Sequence, residues 1–393
     1  MDIDKLLKEL VVMGASDLHL KVGRPPLIRN LGELRASQYP PATRAEIEEV
    51  LKKVLTPHRL AEFETALEAD DAYHIQGVGR FRVNGYVQKG EPGIALRYIP
   101  LEVPTIDRLG LPEVLKDLAS RQQGMILVTG PTGSGKSTTI AAIIEHINVT
   151  CPCHIVTVED PIEFVYTDKL ATVNQRQVGL DTHDLGQALK HVLRQDPDVI
   201  LMGEMRDLET MEFSLNAAET GHLVLSTLHT NDAKQSVDRI LDMFPADKAK
   251  QYRAMLAVNL LGVVSQRLLL RADGSGRIAA IELLINSPHI SELIAEGKTA
   301  SLDREMRSMG EYYKMRTFDQ ALAELVRTGK VTVEEAMAHS ANPADLRLML
   351  RGVETGGAAT RRVKRTREED DAAFGTAPRQ GAALGGETSG SAR

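Results

Sequence analysis

The eight residues GPTGSGKS, at 130–137, follow the apolar run MILVT and precede TTIAAIIEHI. A strand that ends in a glycine-rich turn and feeds directly into a helix constrains the fold more than any other stretch of this chain. Gly130, Gly133 and Gly135 allow backbone N–H groups to close around phosphate oxygens, and the helix N-terminus adds positive potential. Pro131, Thr132, Ser134 and Thr138 complete the nucleotide-binding loop. Lys136 is placed for the β- and γ-phosphates and Ser137 for Mg²⁺, so the expected ligands are ATP and Mg.

The surroundings of the loop agree with this. Between 124 and 285, short β-rich runs alternate with helical segments: GMILVTG, HIVTVED, DVILMGE, HLVLSTLH and RIAAIELLI are the expected strands. Such alternation indicates a wound, mostly parallel α/β sheet. Residues 1–99 read as a separate small α/β domain. It has helices at Ile3–Met13 and in TRAEIEEVLKKVL, and strand-like ASDLHLKV, LIRNLGELR, GRFRVNGYVQ and GIALRYIP. Residues 100–123 begin a proline-bearing stretch of little periodicity and are expected to be a linker. Residues 286–353 form a helical C-terminal part. The tail 354–393 has few large apolar residues and a basic run, RRVKR, followed soon by EEDD. Such a tail is expected to be disordered.

Two carboxylate-bearing segments follow apolar strands. DPDVILMGEMRD (196–207) places Glu204 where a Mg²⁺ contact or a water-positioning acid would stand. VEDPIEF (158–164) supplies Glu159, Asp160 and Glu163, which suit either activation of an attacking water or a solvated strand end. HLVLSTLHTND (222–232) carries His222 and His229. On the residues alone they could serve a metal, the core or the nucleotide site. Metal is disfavoured because no cysteine pair or HExxH partner lies nearby. His229 falls at the C-terminal end of its expected strand, where ligands bind in such sheets.

GPTGSGKST, TVEDPIEF, ILMGEMRD and AETGHLVLSTLHTND, in this order, resemble the secretion-type AAA-like ATPases, whose Walker A loop, Asp box, Walker B strand and His box they match. The resemblance covers roughly residues 1–350 and is nearest to the type IV pilus retraction ATPases of the PilT/PilU type. It implies a small N-terminal PAS-like α/β domain followed by a RecA-like P-loop ATPase domain with a helical C-terminal extension. It also implies roles. Glu163 would be the catalytic base, Glu204 the Walker B acid, and Arg82 and Arg97, with Arg80 the least secure, would reach a neighbouring subunit's nucleotide. His229 would sense the γ-phosphate, and His222 would sit at the nucleotide-binding region or a subunit contact. The implied partners are a homohexamer, an inner-membrane pilus platform protein and, as a further candidate, a paralogous retraction ATPase. HISELIAEG stands where PilT-type chains commonly carry an AIRNLIR-like stretch, which leaves primary motor and accessory paralogue both open.

Composition narrows the rivals. A net charge of −7 gives no electrostatic reason to expect nucleic acid, against a RecA-like nucleic-acid motor. The two cysteines, Cys151 and Cys153, cannot form the four-cysteine zinc module common among assembly and type II secretion ATPases, and low cysteine use fits a reducing compartment. CPC is expected to open a buried strand. The N-terminus reads as an amphipathic helix and not a signal peptide, and no apolar run is long enough to span a membrane. The expected location is cytoplasmic, peripheral at the inner membrane through partners. A nucleotide-dependent signalling protein without mechanical work is disfavoured by the intact Lys136, Glu163, Glu204 and histidines.

Overall fold

The computed structural model describes residues 1–352 apart from 31, 100 and 101; the tail expected to be disordered lies outside the described residues. Two sheets organise the chain. The first contains β1 (Asp17–Lys21), β2 (Leu27–Asn30), β3 (Glu33–Ala36), β4 (Glu68–Ile75), β5 (Gly79–Gln88) and β6 (Glu91–Ile99). It is antiparallel, in the order β3-β2-β1-β6-β5-β4. Alternation in β5 buries Phe81 and Val83 and leaves Arg82 exposed. The buried face packs on the helices Ile3–Val12 and Arg44–Val54 through Leu6, Leu7, Ile47 and Leu51. One covered face and one open face follow from this period of two. The helix Pro57–Ala66 and the acid-rich edge strand β4 carry no clear apolar pattern, so the sequence gives no sign of them.

The second sheet contains β7 (Gly124–Thr129), β8 (His154–Glu159), β9 (Thr172–Gln177), β10 (Val199–Met202), β11 (Leu223–Leu228), β12 (Leu260–Leu270) and β13 (Arg277–Ile285). Its order is β13-β12-β7-β11-β10-β8-β9. All pairs are parallel except β12–β13. Every residue of β7 and of β11 is buried, because helices cover both faces. Met125 and Leu127 face one layer of helices, Ile126 and Val128 the other. Two members have no plain strand signature: β9, whose TVNQRQ is polar because it lies at the sheet edge, and β12, whose Ser265, Gln266 and Arg267 interrupt its apolar run.

The stretch 100–123 is not simply a linker. It contains the helices Ile106–Leu109 and Val114–Ala119, whose Ile106, Leu115 and Leu118 join Ile140 and Ile144 in the second domain's core. Burying these side chains on the helix after the glycine loop leaves only the residues before them as a connector. The C-terminal helices also divide. Ile290, Ile294 and Leu302 pack into the core of the second domain, whereas Phe318, Leu322 and Leu346 form a small cluster on Leu269 and Ala280 of β12 and β13. The CPC pair does not open a buried strand. Cys151 is exposed and closes the helix Lys136–Thr150, its N–H donating to the Ile147 carbonyl (2.8 Å), so β8 starts only at His154.

Glu282 of β13 ties these parts together. Its carboxylate accepts from the backbone N–H of Ala233 (2.7 Å) and of Phe318 (3.1 Å), at the starts of two helices. Burial outweighs these bonds and pushes its carboxyl from 4.5 up to about 7. Between those values the folded chain holds a proton that the unfolded chain has lost, so stability falls as pH rises through this window and levels off above it. The shift corresponds to about 3 kcal/mol. Thermal melts between pH 5 and 8 are expected to show this decline in the wild-type chain and to lose it in Glu282→Gln; an identical pH profile in both would contradict it.

Candidate active site

The glycine loop begins where β7 ends. Gly130 has φ 144°, and a Cβ there would collide with the Gln266 carbonyl oxygen, so no side chain fits. Gly135 adopts φ 89° as the residue before the helix Lys136–Thr150, a conformation that favours glycine. No side chain caps that helix, which leaves its first N–H groups directed into the loop. Lys136 is buried, and its Nζ donates to the carbonyl oxygens of Gly130 (2.9 Å) and Pro131 (3.2 Å). Burial pushes the Lys136 ammonium down, while the charges of Glu204 and Glu163 push it back up. All three groups therefore share one electrostatic site. Among the described residues Ser134 Oγ is buried without a hydrogen-bond partner, a group that phosphate could satisfy. Ser137 and Thr138 follow on the first turn of the helix, half-buried, and Thr132 and Pro131 are exposed at the loop's rim.

The next strands deliver the acids and the histidine. Glu204 lies just beyond β10 and His229 just beyond β11, and the parallel pairing brings them to one edge. Glu204 Oε1 is 3.2 Å from His229 Nε2, and Glu204 Oε2 accepts from Arg206 Nε (2.8 Å) and lies 2.8 Å from Arg206 Nη2. Thr227 Oγ1 donates to the Gly203 carbonyl (2.7 Å) and fixes the turn that carries Glu204. Glu163 is exposed on the loop after β8. Glu159, at the end of β8, accepts from Thr157 Oγ1 (2.7 Å) and Gln175 Nε2 (3.1 Å), and burial pushes its carboxyl up.

His222 does not join this site. It precedes β11, and its backbone carbonyl accepts from Gly124 N (3.0 Å) at the start of β7, whereas the glycine loop follows the end of β7. Six extended residues separate the two ends by roughly 20 Å. The His222 ring instead contacts the Ala217 carbonyl (3.0 Å) and closes the helix before its strand. The expectation that it binds nucleotide within its own chain is therefore corrected.

Arg82 and Arg97 are direct cross-strand partners on the open face of the first sheet. Their polar partners are in their own domain: Arg97 Nε donates to Asp17 Oδ1 (2.7 Å), and Arg82 Nη2 lies 3.9 Å from Asp70 Oδ1. Burial pushes the Asp17 carboxyl up, but bonds from Ser16 and Arg97 outweigh it and hold the carboxyl below its usual value. Arg80 differs: its Nη2 donates to Gln177 Oε1 of the second domain (3.2 Å) and so forms a domain contact.

Gln266 is a site residue that no motif reveals. It is buried in β12; its Nε2 donates to the Ser134 carbonyl (2.6 Å) and its Oε1 accepts from Thr139 Oγ1 (2.8 Å). One amide thus clamps the glycine loop to its own helix. Hydroxyls make a second brace behind the loop. Thr129 Oγ1, at the end of β7, lies 2.8 Å from Ser265 Oγ of β12. Ser236 Oγ, on the helix Ala233–Asp242, donates to Thr129 Oγ1 (3.3 Å) and pairs with Thr230 Oγ1 (2.6 Å).

Residues 1–277 match the family described as Type II/IV secretion system protein. The chain is 45% identical over 336 residues to the type IV pilus retraction ATPase PilT of Pseudomonas aeruginosa, covering 86% of this chain and 97% of that one. The type IV pilus ATPase PilU of the same organism is 41% identical over 351 residues, covering 89% and 92%. A crystal structure of the pilus retraction motor PilT with bound ADP matches with a TM-score of 0.81 at 44% identity, over 88% of this chain and 98% of that chain. The Legionella pneumophila ATPase DotB matches with a TM-score of 0.74 at 25% identity, over 86% and 94%.

Replacing Gln266 with Leu roughly keeps the volume and removes both clamps. Stranding the Ser134 carbonyl and the Thr139 hydroxyl is expected to cost about 1–3 kcal/mol and to weaken ADP binding, as read by thermal denaturation and by titration with a fluorescent nucleotide. Unchanged nucleotide affinity would show that the loop holds its shape without Gln266.

Proposed function

We propose that this chain, which belongs to the type II/IV secretion system protein family and is an ATPase of the type IV pilus retraction kind, works as a hexameric, Mg²⁺-dependent motor. It would act on an inner-membrane platform protein to withdraw pilin, from the cytoplasmic side. The observation that carries the chemistry is the meeting of Lys136, Glu204 and His229 at one edge of a parallel sheet, with Glu204 3.2 Å from His229. ATP phosphates would take the place of the Gly130 and Pro131 carbonyls as partners of Lys136 Nζ. Glu163, exposed and close enough to affect the Lys136 charge, is the candidate to orient and deprotonate water. His229, held by Glu204, would carry a hydrogen-bond change at the γ-phosphate to the turn beyond β11. The oxygen donors Ser137 and Glu204 suit Mg²⁺, which when bound would offset charge on the phosphate oxygens.

The exposed pair Arg82 and Arg97 supports a site shared between subunits. Two guanidiniums directly opposite each other repel, and among the described residues the carboxylates beside them are Asp70 and Asp17. A neighbour's triphosphate would relieve this repulsion. The hexamer, the platform protein and a paralogous ATPase as further partner rest on the family alone. The first domain's antiparallel sheet with helices on one face supports its PAS-like reading. Among the described residues no helix is long and apolar enough to cross a membrane, which is compatible with attachment through partners.

In a strain lacking retraction, the chain is expected to restore twitching and reduce surface pili. Lys136→Ala should fail and bind no ATP. Arg97→Ala should also fail while binding ATP nearly as wild type, with turnover down by about 10³. Full turnover of Arg97→Ala in the assembled ring would remove the shared-site reading, and persistent hyperpiliation with active wild-type ATPase would remove the retraction reading.

A further inference from the structure

A cavity of about 390 Å³ opens between the two domains, and no residue of the glycine loop lines it. From the first domain it is lined by Thr56, His58 and Arg59, at the start of the helix Pro57–Ala66. From the second it is lined by Arg176 of β9, by His183 just before the helix Leu185–Val192 and by His191 in the last turn of that helix. Two arginines and three histidines therefore face one space, in a chain whose net charge is −7. Among the described residues the one carboxylate in the lining is Asp181, which accepts from the backbone N–H of Gln177 (2.8 Å). The helix Pro57–Ala66 has no acid in its first turn, but the buried Asp71 carboxylate accepts from the N–H of its N-cap Thr56 (2.7 Å) and offsets its N-terminal potential, so the field comes from the side chains. Arg59 pairs with the Glu62 carboxylate on its own helix and donates to the Gly179 carbonyl, and Arg176 donates to the Asp181 carbonyl (3.0 Å), which holds both guanidiniums at the cavity wall.

We propose that this interdomain cavity is a binding site for a small phosphate-bearing molecule with two anionic groups, gripped by Arg59 and His58 from one domain and by Arg176, His183 and His191 from the other. Its volume is within the range of small-molecule sites. A polar, cationic lining selects an anion, because hydrogen bonds from charged donors to phosphate oxygens are short and strong. Two basic walls facing each other favour two anionic groups over one. The site is separate from the ATPase site, so it does not depend on the motor reading.

The test uses the full chain carrying Lys136→Ala, without added nucleotide, so that the glycine loop does not report. Pyrophosphate titrated by calorimetry is expected to bind at one site per chain, and more tightly than inorganic phosphate. Arg176→Ser with His191→Gln should weaken it at least about tenfold, as loss of a charge-assisted bond does. Because Arg176 also bonds the Asp181 carbonyl, a second arm replaces His183 and His191 with Gln and leaves that bond in place. It should weaken binding as well, with an unchanged melting temperature. No saturable binding, equal affinity for inorganic phosphate, or binding unaltered in both double variants would overturn the assignment.

Discussion

The chemistry of this chain depends on one constraint: β8, β10, β11, β7 and β12 run parallel, so their C-terminal ends fall on the same edge. Glu163, Glu204, His229 and the glycine loop come from four separate segments, yet each follows one of those ends. The buried apolar runs of β7 and β11 lock the register, and a shift of one residue would exchange the two core faces. Positioning at the site is therefore a consequence of core packing.

Polar braces refine what the sheet places. Gln266 fastens the loop to its helix, and Thr227 fastens the turn that bears Glu204. Glu204 is shared by Arg206 and His229, so a change at either partner is felt by the other through the same carboxylate. The first domain contributes differently. Its Arg82 and Arg97 stand on an open sheet face, while Arg80 and Arg59 reach across to the β9 edge of the second domain.

Most of this is legible where the signal is local. The glycine loop, the fully apolar strands and the alternating β5 each announce themselves within about ten residues. What the sequence hides depends on partners far along the chain. β9 is polar because it is an edge, and β12 holds Gln266 because that amide braces the loop. His222 and His229 are close in sequence, but a fully extended strand sends them to opposite ends of the sheet. The helices within 100–123 are too short for periodicity to show, and only their packing on Ile140 and Ile144 identifies them.

In the ring proposed above, one chain supplies the glycine loop and its neighbour the arginines. The most direct measurement mixes Lys136→Ala chains with Arg97→Ala chains, each inactive alone, and follows ATP hydrolysis against mixing ratio while light scattering confirms joint assembly. Shared sites give a wild-type loop facing a wild-type arginine in some mixed rings, so activity should appear and peak at intermediate ratios. Co-assembled rings that stay inactive at every ratio would contradict a site shared between neighbours.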